Sequence, residues 1–213
     1  EDPEASLWRA VTDARQGRFP RALAGFRRAG EIIDAYPDQL QAIIRPEIVR
    51  AAIAMRDQGV AEAELKLLGD LAPTWLPRDE VSLLRAQLDE VTGRPEAALT
   101  GYKSLFDSPH RPISARAQLK GVQLAHREDD KSIKPEEAQA RLETIAAIWR
   151  GDEVEIEAIG ELGGMYADQK RWREAFGVAR RAAGFFPDHP ITRKLHDETA
   201  RQFEELFTQL SLI

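Results

Sequence analysis

Apolar residues recur at intervals of three and four along nearly the whole chain, and convincing strand-like alternation is missing. Glycine and proline stand between these periodic stretches, where they end one helix and start the next. The first of these helices is predicted from about Ala5 to Gln16 and ends at Gly17. Pro20 then falls in the first turn of a second helix, which ends near Pro37. The pattern predicts an all-α protein.

The same reasoning places helices along the rest of the chain. They are predicted at 46–57, 61–71, 79–91, 95–106, 112–127 and 135–149, as two antiparallel helices within 155–187, and as a last helix at 188–210. The stretch from Pro37 to Pro46 departs from a simple hairpin, and we interpret it as an extra short helix or an extended turn. Turns near Gly17, Gly59, Gly93, Glu128 and Lys170 are separated by 42, 34, 35 and 42 residues. A period near 34 with two insertions is therefore predicted.

Part of the chain repeats itself. The shift that places Gly17 on Gly93 superposes three more pairs of similar residues: Ala10 on Ala86, Ala22 on Ala98 and Phe26 on Tyr102. Several matches under one shift are not expected of unrelated amphipathic helices. They indicate an internal repeat.

The clearest copy of the repeat has a Leu-Gly pair, an aromatic residue, an alanine and a closing proline: Leu162, Gly163, Tyr166, Ala175 and Pro187. This resembles the tetratricopeptide-repeat family, in a divergent form and as a segment of a longer bacterial protein. Ile159 departs from the family pattern, in which a tryptophan is usual, and Ala179 replaces an expected aromatic residue. The resemblance implies an all-α, right-handed α-solenoid of about five helix hairpins with a C-terminal capping helix. The implied single domain has approximate repeats at 5–37, 45–73, 78–109, 112–150 and 152–187 and the capping helix at 188–210.

Composition narrows the functional classes. The chain is 43% hydrophobic and 31% charged, with a net charge of −6, which argues against a primary nucleic-acid binder. It has no cysteine, so it can form no disulfide, and no apolar run approaches the length of a bilayer span. Because it starts without methionine, we interpret it as a processed form or an excised segment. A mature chain without cysteine fits an exported, periplasmic protein, which we prefer, and a cytoplasmic fragment is the alternative.

By resemblance, the first helix of each hairpin lines a groove that binds a segment of another protein, or of a larger parent chain. The residues of this groove that packing leaves free are expected to be Leu7, Val11, Arg15, Val49, Ile53, Arg56, Leu83, Gln87, Glu90, Gln118, Val122, His126, Glu157, Gly164 and Asp168. The implied groove is apolar toward the N-terminal half and acidic at its far end. The expected activity is therefore that of a protein-binding scaffold.

Candidate catalytic and metal-binding groups are weak. His189 and His196 lie seven residues apart, which on a helix separates them by roughly 10 Å, too far for one zinc ion. The sequence shows neither a phosphate-binding glycine loop nor a converging acid–base cluster, so no enzyme activity, metal or cofactor is expected. Two alternatives stay open: an enzyme or regulatory domain on a helical-repeat scaffold, and a purely structural segment of a larger envelope-associated assembly. A converging polar pocket that holds several ionisable residues within hydrogen-bond reach would favour the enzyme, and a broad concave groove without such a cluster would favour binding.

Overall fold

The computed structural model describes residues 2–71 and 73–210, with side chains as far as residue 204, and in them the chain forms twelve α-helices and no strand. The helices are α1 (Pro3–Arg15), α2 (Phe19–Ala29), α3 (Ile32–Ala35), α4 (Asp38–Ala54), α5 (Gln58–Asp70), α6 (Arg78–Val91), α7 (Pro95–Ser104), α8 (Arg111–Arg127), α9 (Pro135–Ile148), α10 (Glu153–Asp168), α11 (Trp172–Phe185) and α12 (Pro190–Leu210). The prediction of an all-α chain is confirmed.

The helix starts follow local chemistry. Proline occupies the first turn of α2, α7 and α9, where its missing N–H group costs nothing. At the start of α10, Asp152 Oδ1 accepts hydrogen bonds from the backbone N–H groups of Val154 and Glu155, at 2.9 and 3.3 Å. The Glu155 side chain reaches back to the N–H of Gly151 at 2.7 Å, one residue beyond the usual capping box.

The first helix of every hairpin ends in the same way. A residue with positive φ follows it in each case: Gly17, Arg56, Gly93, Asp129 and Lys170. The N–H of the next residue donates to the carbonyl five positions earlier at 2.8–2.9 Å, as in the Schellman motif. These turns lie 39, 37, 36 and 41 residues apart. The predicted turn at Gly59 is wrong, because Gly59 lies inside α5 and Arg56 takes the left-handed conformation.

Two boundaries between the first and second hairpins also differ from the prediction. Gly30, with φ of +52°, ends α2 earlier than predicted, so that Ile32 and Ile33 belong to α3. The 38–46 stretch is the beginning of α4, which continues through Pro46 without a break. The buried guanidinium of Arg45 fixes these turns, since it hydrogen-bonds to Gln41 at 2.8 Å and pairs with Asp34 and Glu64 at 2.5 and 2.8 Å.

The chain divides into two compact units, Glu1–Ala117 and Gln118–Ile213, with the boundary inside α8. In the first unit the hairpins α1–α2, α4–α5 and α6–α7 stack in order, with α4 against both α1 and α2 and α6 against both α4 and α5. Their core contains Leu7, Phe26, Ile44, Leu68 and Leu84, all at most 5% exposed. In the second unit α10 is central and packs against α9, α11 and α12.

Close helix crossings explain the internal repeat. A Cβ atom at Gly25 would lie 2.7 Å from Cβ of Ala10, and one at Gly101 would lie 2.9 Å from Cβ of Ala86. The two glycines are related by the same shift that superposes Ala10 on Ala86, so the repeat is also a repeat of packing. Each crossing joins an alanine on the first helix to a glycine on the second.

In the second unit, glycines of α10 make room for α12. A Cβ atom at Gly160 would lie 2.8 Å from Cγ2 of Ile191, and one at Gly163 would collide with Leu195. The same Cβ atom would lie 3.6 Å from Cγ2 of Val178 on α11. Gly163 therefore faces Val178 and Leu195.

Gly93 and Gly177 differ in backbone conformation, and this difference predicts opposite effects when each is replaced by alanine. Neither Gly93 in its turn nor Gly177 inside α11 has a neighbouring atom within 4 Å of the position that a Cβ would take. Gly93→Ala is expected to lower the free energy of unfolding by about 1 kcal/mol, because φ is +77° there. Gly177→Ala is expected to raise it by about 0.5–1 kcal/mol, as alanine does in a helix. Denaturant unfolding of both variants measures the difference, and a change of the same sign in both would contradict it.

Candidate partner-binding site

The predicted groove residues of the first unit are largely used in packing. Leu7, Val11, Val49 and Leu83 are at most 4% exposed, so they offer no surface to a partner, and their assignment to an open groove is corrected. Apolar residues recur at helical spacing both where a helix faces the core and where it faces an open groove. Sequence periodicity therefore does not distinguish the two positions. Ile53 and Gln87 are also partly buried.

The polar members in this unit have internal roles. Arg15 Nε pairs with Glu47 at 3.0 Å, and Glu90 accepts a hydrogen bond from the Tyr102 hydroxyl at 2.5 Å. Arg56 is the positive-φ residue of its turn. Arg15 and Arg56 remain exposed beside these contacts, and their role in binding stays a prediction.

In the second unit the structure brings three of the predicted residues together. Val122, His126 and Asp168 line one cleft of about 490 Å³. The cleft lies between the end of α8, the start of α9 and the second half of α10, and the connecting segment 129–134 forms one side. We refer to it below as the α8–α10 cleft.

Helical spacing explains which side chains face the α8–α10 cleft. Val122, Ala125 and His126 lie three and four residues apart on one face of α8. Glu161, Met165 and Asp168 have the same spacing on α10. Pro135 and Ala138 contribute the first turn of α9.

The segment 129–134 separates α8 from α9 more widely than any other hairpin turn. In the other four hairpins the residue after the positive-φ position is already the N-cap of the second helix, whereas here the N-cap is Lys134. Asp130 Oδ1 accepts a hydrogen bond from the N–H of Ser132 at 2.7 Å, and Ile133 is buried. The extra residues thus form an ordered wall, anchored by Ile133, and the cleft occupies the space that they open.

Polar contacts fix the two helices beside the cleft. Glu157 Oε2 on α10 accepts hydrogen bonds from Lys120 Nζ and Gln123 Nε2 on α8, both at 3.0 Å. Glu157 was predicted to face a partner, and it instead ties α8 to α10. Gln118 is half-buried, while a Cβ atom at Gly164 would meet open space. Neither of these two lines the cleft.

A second tie joins α10 to α9. The Tyr166 hydroxyl donates to Glu143 Oε1 at 2.7 Å, and the Arg171 guanidinium lies over the Tyr166 ring, 4.8 Å from its centroid. Burial, together with the hydrogen bond to Glu143, raises the pKa of Tyr166 to about 12. The hydrogen bond from Tyr166 lowers the pKa of Glu143. Both shifts favour the neutral phenol and the carboxylate, so this contact holds throughout the neutral range.

The α8–α10 cleft combines an apolar floor with a charged rim. Val122, Ala125, Ile133, Ala138 and Met165 supply the apolar surface. The rim carries four carboxylates and two ammonium groups: Asp129, Asp130, Glu161, Asp168, Lys131 and Lys134. Lys131 forms an ion pair with Asp129, and His126 Nδ1 lies 3.7 Å from Glu161 Oε2. Such a surface can hold an apolar side chain and orient its neighbours by charge.

Eleven of the fourteen lining residues escaped the sequence prediction, among them Ile133, Glu161 and Met165. The long interval to Lys170 and the polar run after Arg127 signalled an insertion there. Neither signal indicates that the insertion forms a wall of a cleft, because that depends on how deeply Ile133 is buried.

Among the described residues, no group of three or more His, Cys, Asp or Glu side chains is arranged to hold a metal ion. None of the described helices combines the length and the apolar character that crossing a bilayer requires.

Comparison with known proteins identifies the fold. No protein-family profile matches the chain, and no curated protein sequence does. A crystal structure of a signal transduction ATPase with numerous domains (STAND) that carries a tetratricopeptide repeat sensor, from Pyrococcus horikoshii, is similar, with a TM-score of 0.62 at 15% sequence identity. The match covers 93% of this chain and 31% of that protein, so this chain spans less than a third of its length. The predicted fold class, a divergent, all-α helical-repeat solenoid of the tetratricopeptide type, is confirmed.

Proposed function

We propose that this chain is a protein-interaction module and that its α8–α10 cleft holds a segment of a partner protein. The observation that carries the proposal is the apolar floor of the cleft, framed by helices whose positions are fixed by Glu157 and Tyr166. A preformed site of this kind binds without first having to order itself. The similar STAND protein carries a tetratricopeptide repeat sensor, which is in keeping with a recognition role.

The cleft suits binding better than catalysis. Its described lining contains no hydroxyl or thiol side chain that could act as a nucleophile. His126 and Glu161 approach to 3.7 Å, which is longer than a hydrogen bond. Lys131 is paired with Asp129. The lining therefore lacks the hydroxyl–base or thiol–base pair of the nucleophilic acyl-transfer enzymes.

The size of the cleft defines how much of a partner it takes. About 490 Å³ falls within the range of roughly 300–1,000 Å³ typical of small-ligand pockets. It accommodates one large side chain with its flanking backbone, rather than a whole helix. We therefore expect the partner to present an extended segment with one apolar anchor.

A matched pair of substitutions tests the proposal, because the chain contains two methionines, Met165 in the cleft and Met55 elsewhere. Peptides selected for binding from a displayed random library are expected to bind Met165→Lys at least about tenfold more weakly, since a buried apolar anchor is worth about 2 kcal/mol and tenfold corresponds to about 1.4 kcal/mol. Met55 is 45% exposed at the end of α4, and Met55→Lys is expected to leave binding unchanged. Fluorescence anisotropy measures both affinities.

Retained folding must be shown for both variants by circular dichroism and denaturant unfolding. Met165 is only partly buried, so a charged end can reach solvent from its position. Charged substitutions of Val49 or Leu83 would not serve, because these residues are buried in the core. If the selected peptides bind Met165→Lys as tightly as the unchanged chain, or if selection yields none, the cleft is not the binding site.

A further inference from the structure

We infer that the partner segment carries an aliphatic side chain flanked on both sides by lysine or arginine. This inference rests on the proposed function and adds the chemistry of the occupant. It follows from the way in which charge and apolar surface alternate along the α10 wall of the cleft.

The first step is the order of side chains on α10. Glu161 precedes Met165 by four residues and Asp168 follows it by three, so the three share one helical face. At a rise of 1.5 Å per residue, the Cα atoms of Glu161 and Asp168 stand about 6 and 4.5 Å from that of Met165 along the helix axis. An extended peptide advances about 3.3 Å per residue. A peptide whose aliphatic side chain meets Met165 therefore brings side chains one or two positions away to Glu161 and Asp168.

The second step is the charge that the cleft presents. With His126 neutral, four carboxylates and two ammonium groups leave a net charge of −2 on the lining. Lys131 and Asp129 neutralise each other as an ion pair. Lys134 is the N-cap of α9, on a different wall from Glu161 and Asp168. The α10 wall therefore keeps two negative charges beside its apolar centre.

The third step is the direction of the helices. The C-terminal ends of both α8 and α10 border the cleft, since Asp129 and Asp168 line it. A helix C-terminus carries a partial negative charge of about half a unit, which attracts cations and repels anions. The N-terminus of α9 also borders the cleft and carries the opposite partial charge, but the two C-termini outnumber it, so the net charge of the helix ends has the same sign as that of the carboxylates. A basic segment is favoured, and an acidic segment or a free carboxyl terminus is disfavoured.

The two methionines also provide the readout. In protein labelled with ¹³C at the methionine methyl groups, Met165 reports on the cleft and Met55 serves as an internal reference. Three acetylated and amidated peptides serve as probes: Gly-Lys-Ser-Leu-Ser-Lys-Gly, the same peptide with glutamate for both lysines, and the same peptide with serine for leucine. We expect the lysine–leucine peptide to shift the Met165 signal and leave the Met55 signal in place. Its affinity should exceed that of each of the other two at least about fivefold, as rim charges and an apolar anchor allow.

Charge variants then separate specific pairing from general attraction. Glu161→Gln combined with Asp168→Asn is expected to weaken the lysine–leucine peptide by roughly three- to tenfold at low salt. Raising the salt concentration from about 20 to about 300 mM is expected to have a similar effect on the unchanged chain and little on the variant. Glu31→Gln combined with Asp38→Asn makes the same change in net charge on exposed residues of the first unit. That control is expected to bind as the unchanged chain does.

The outcomes distinguish this inference from the proposed function. Equal binding of the glutamate peptide, with a shift of Met165, overturns the basic preference and leaves the cleft as a binding site. If none of the three probes shifts Met165 although library peptides that depend on Met165 exist, the inferred occupant is also wrong. If the library yields no peptide sensitive to Met165→Lys, the proposed function itself fails.

Discussion

Gly25→Val is expected to lower the free energy of unfolding by about 3 kcal/mol, the upper part of the range for overpacked positions. The first added carbon would lie 2.7 Å from Cβ of Ala10 and 3.5 Å from both Cα of Ala10 and the carbonyl oxygen of Ser6. Two of these three atoms are backbone atoms, so no side chain can rotate to relieve the contact. α1 and α2 would have to move apart.

Exchanging glycine and alanine across the α1–α2 crossing distinguishes steric crowding from a change in backbone freedom. Gly25→Ala alone is expected to destabilise the chain by about 1–2 kcal/mol, although alanine favours a helix by about 0.5–1 kcal/mol over glycine. Adding Ala10→Gly removes the methyl group that the new Cβ atom at position 25 would contact. Most of the lost free energy of unfolding should therefore be recovered. Ala24→Val, at an exposed position next to Gly25, serves as the control and is expected to change stability by less than about 1 kcal/mol.

Denaturant unfolding measures all four variants. A double variant no more stable than Gly25→Ala would show that this crossing does not require a glycine opposite an alanine. Since Gly101 faces Ala86 in the same arrangement, the equivalent swap there should behave alike.

These crossings show what the sequence could and could not predict. The shift relating Ala10 to Ala86 identified the repeat, because small residues at matching places reflect a shared packing constraint. The glycine on the second helix was not recognised, since the family pattern places the glycine on the first helix. Only the combined size of the two residues at a crossing is constrained, so which helix carries the glycine can change between repeats. Gly163 facing Val178 is the exchanged form of the same contact.

The groove prediction failed in part for a different physical reason. The sequence indicates one apolar stripe on each helix. A helix in a stack of hairpins, however, packs against the other helix of its own hairpin and against the neighbouring hairpins. Val49 and Leu83 are apolar because α4 and α6 are covered on several sides, and periodicity cannot identify which side stays open. Val122, His126 and Asp168 meet in one cleft because α9 begins four residues later, relative to its turn, than the other second helices do.

Arg181→Met is the second substitution with a large expected effect. Glu155 is 2% exposed, and its carboxylate is held by Arg181, which also donates to the carbonyl of Ala146. After the substitution the nearest cation is Arg150, 3.6 Å from Glu155 Oε1, and the N–H of Gly151 still donates to the other oxygen. Removing one partner of a buried ion pair lowers the free energy of unfolding by about 3–5 kcal/mol. With the two remaining contacts we expect a loss of about 2–4 kcal/mol in the free energy of unfolding.

Two further variants show where that loss arises. Arg180→Met removes the same charge from the adjacent, exposed position of α11 and is expected to change stability by no more than about 0.5 kcal/mol. Arg181→Met combined with Glu155→Met should be less destabilised than Arg181→Met alone, because no carboxylate is then left in an apolar site. Equal stability of Arg180→Met and Arg181→Met would mean that Arg150 and the Gly151 N–H satisfy Glu155 by themselves. The two arginines are adjacent in sequence, and only the approach of α9 and α10 to α11 makes one structural and leaves the other in solvent.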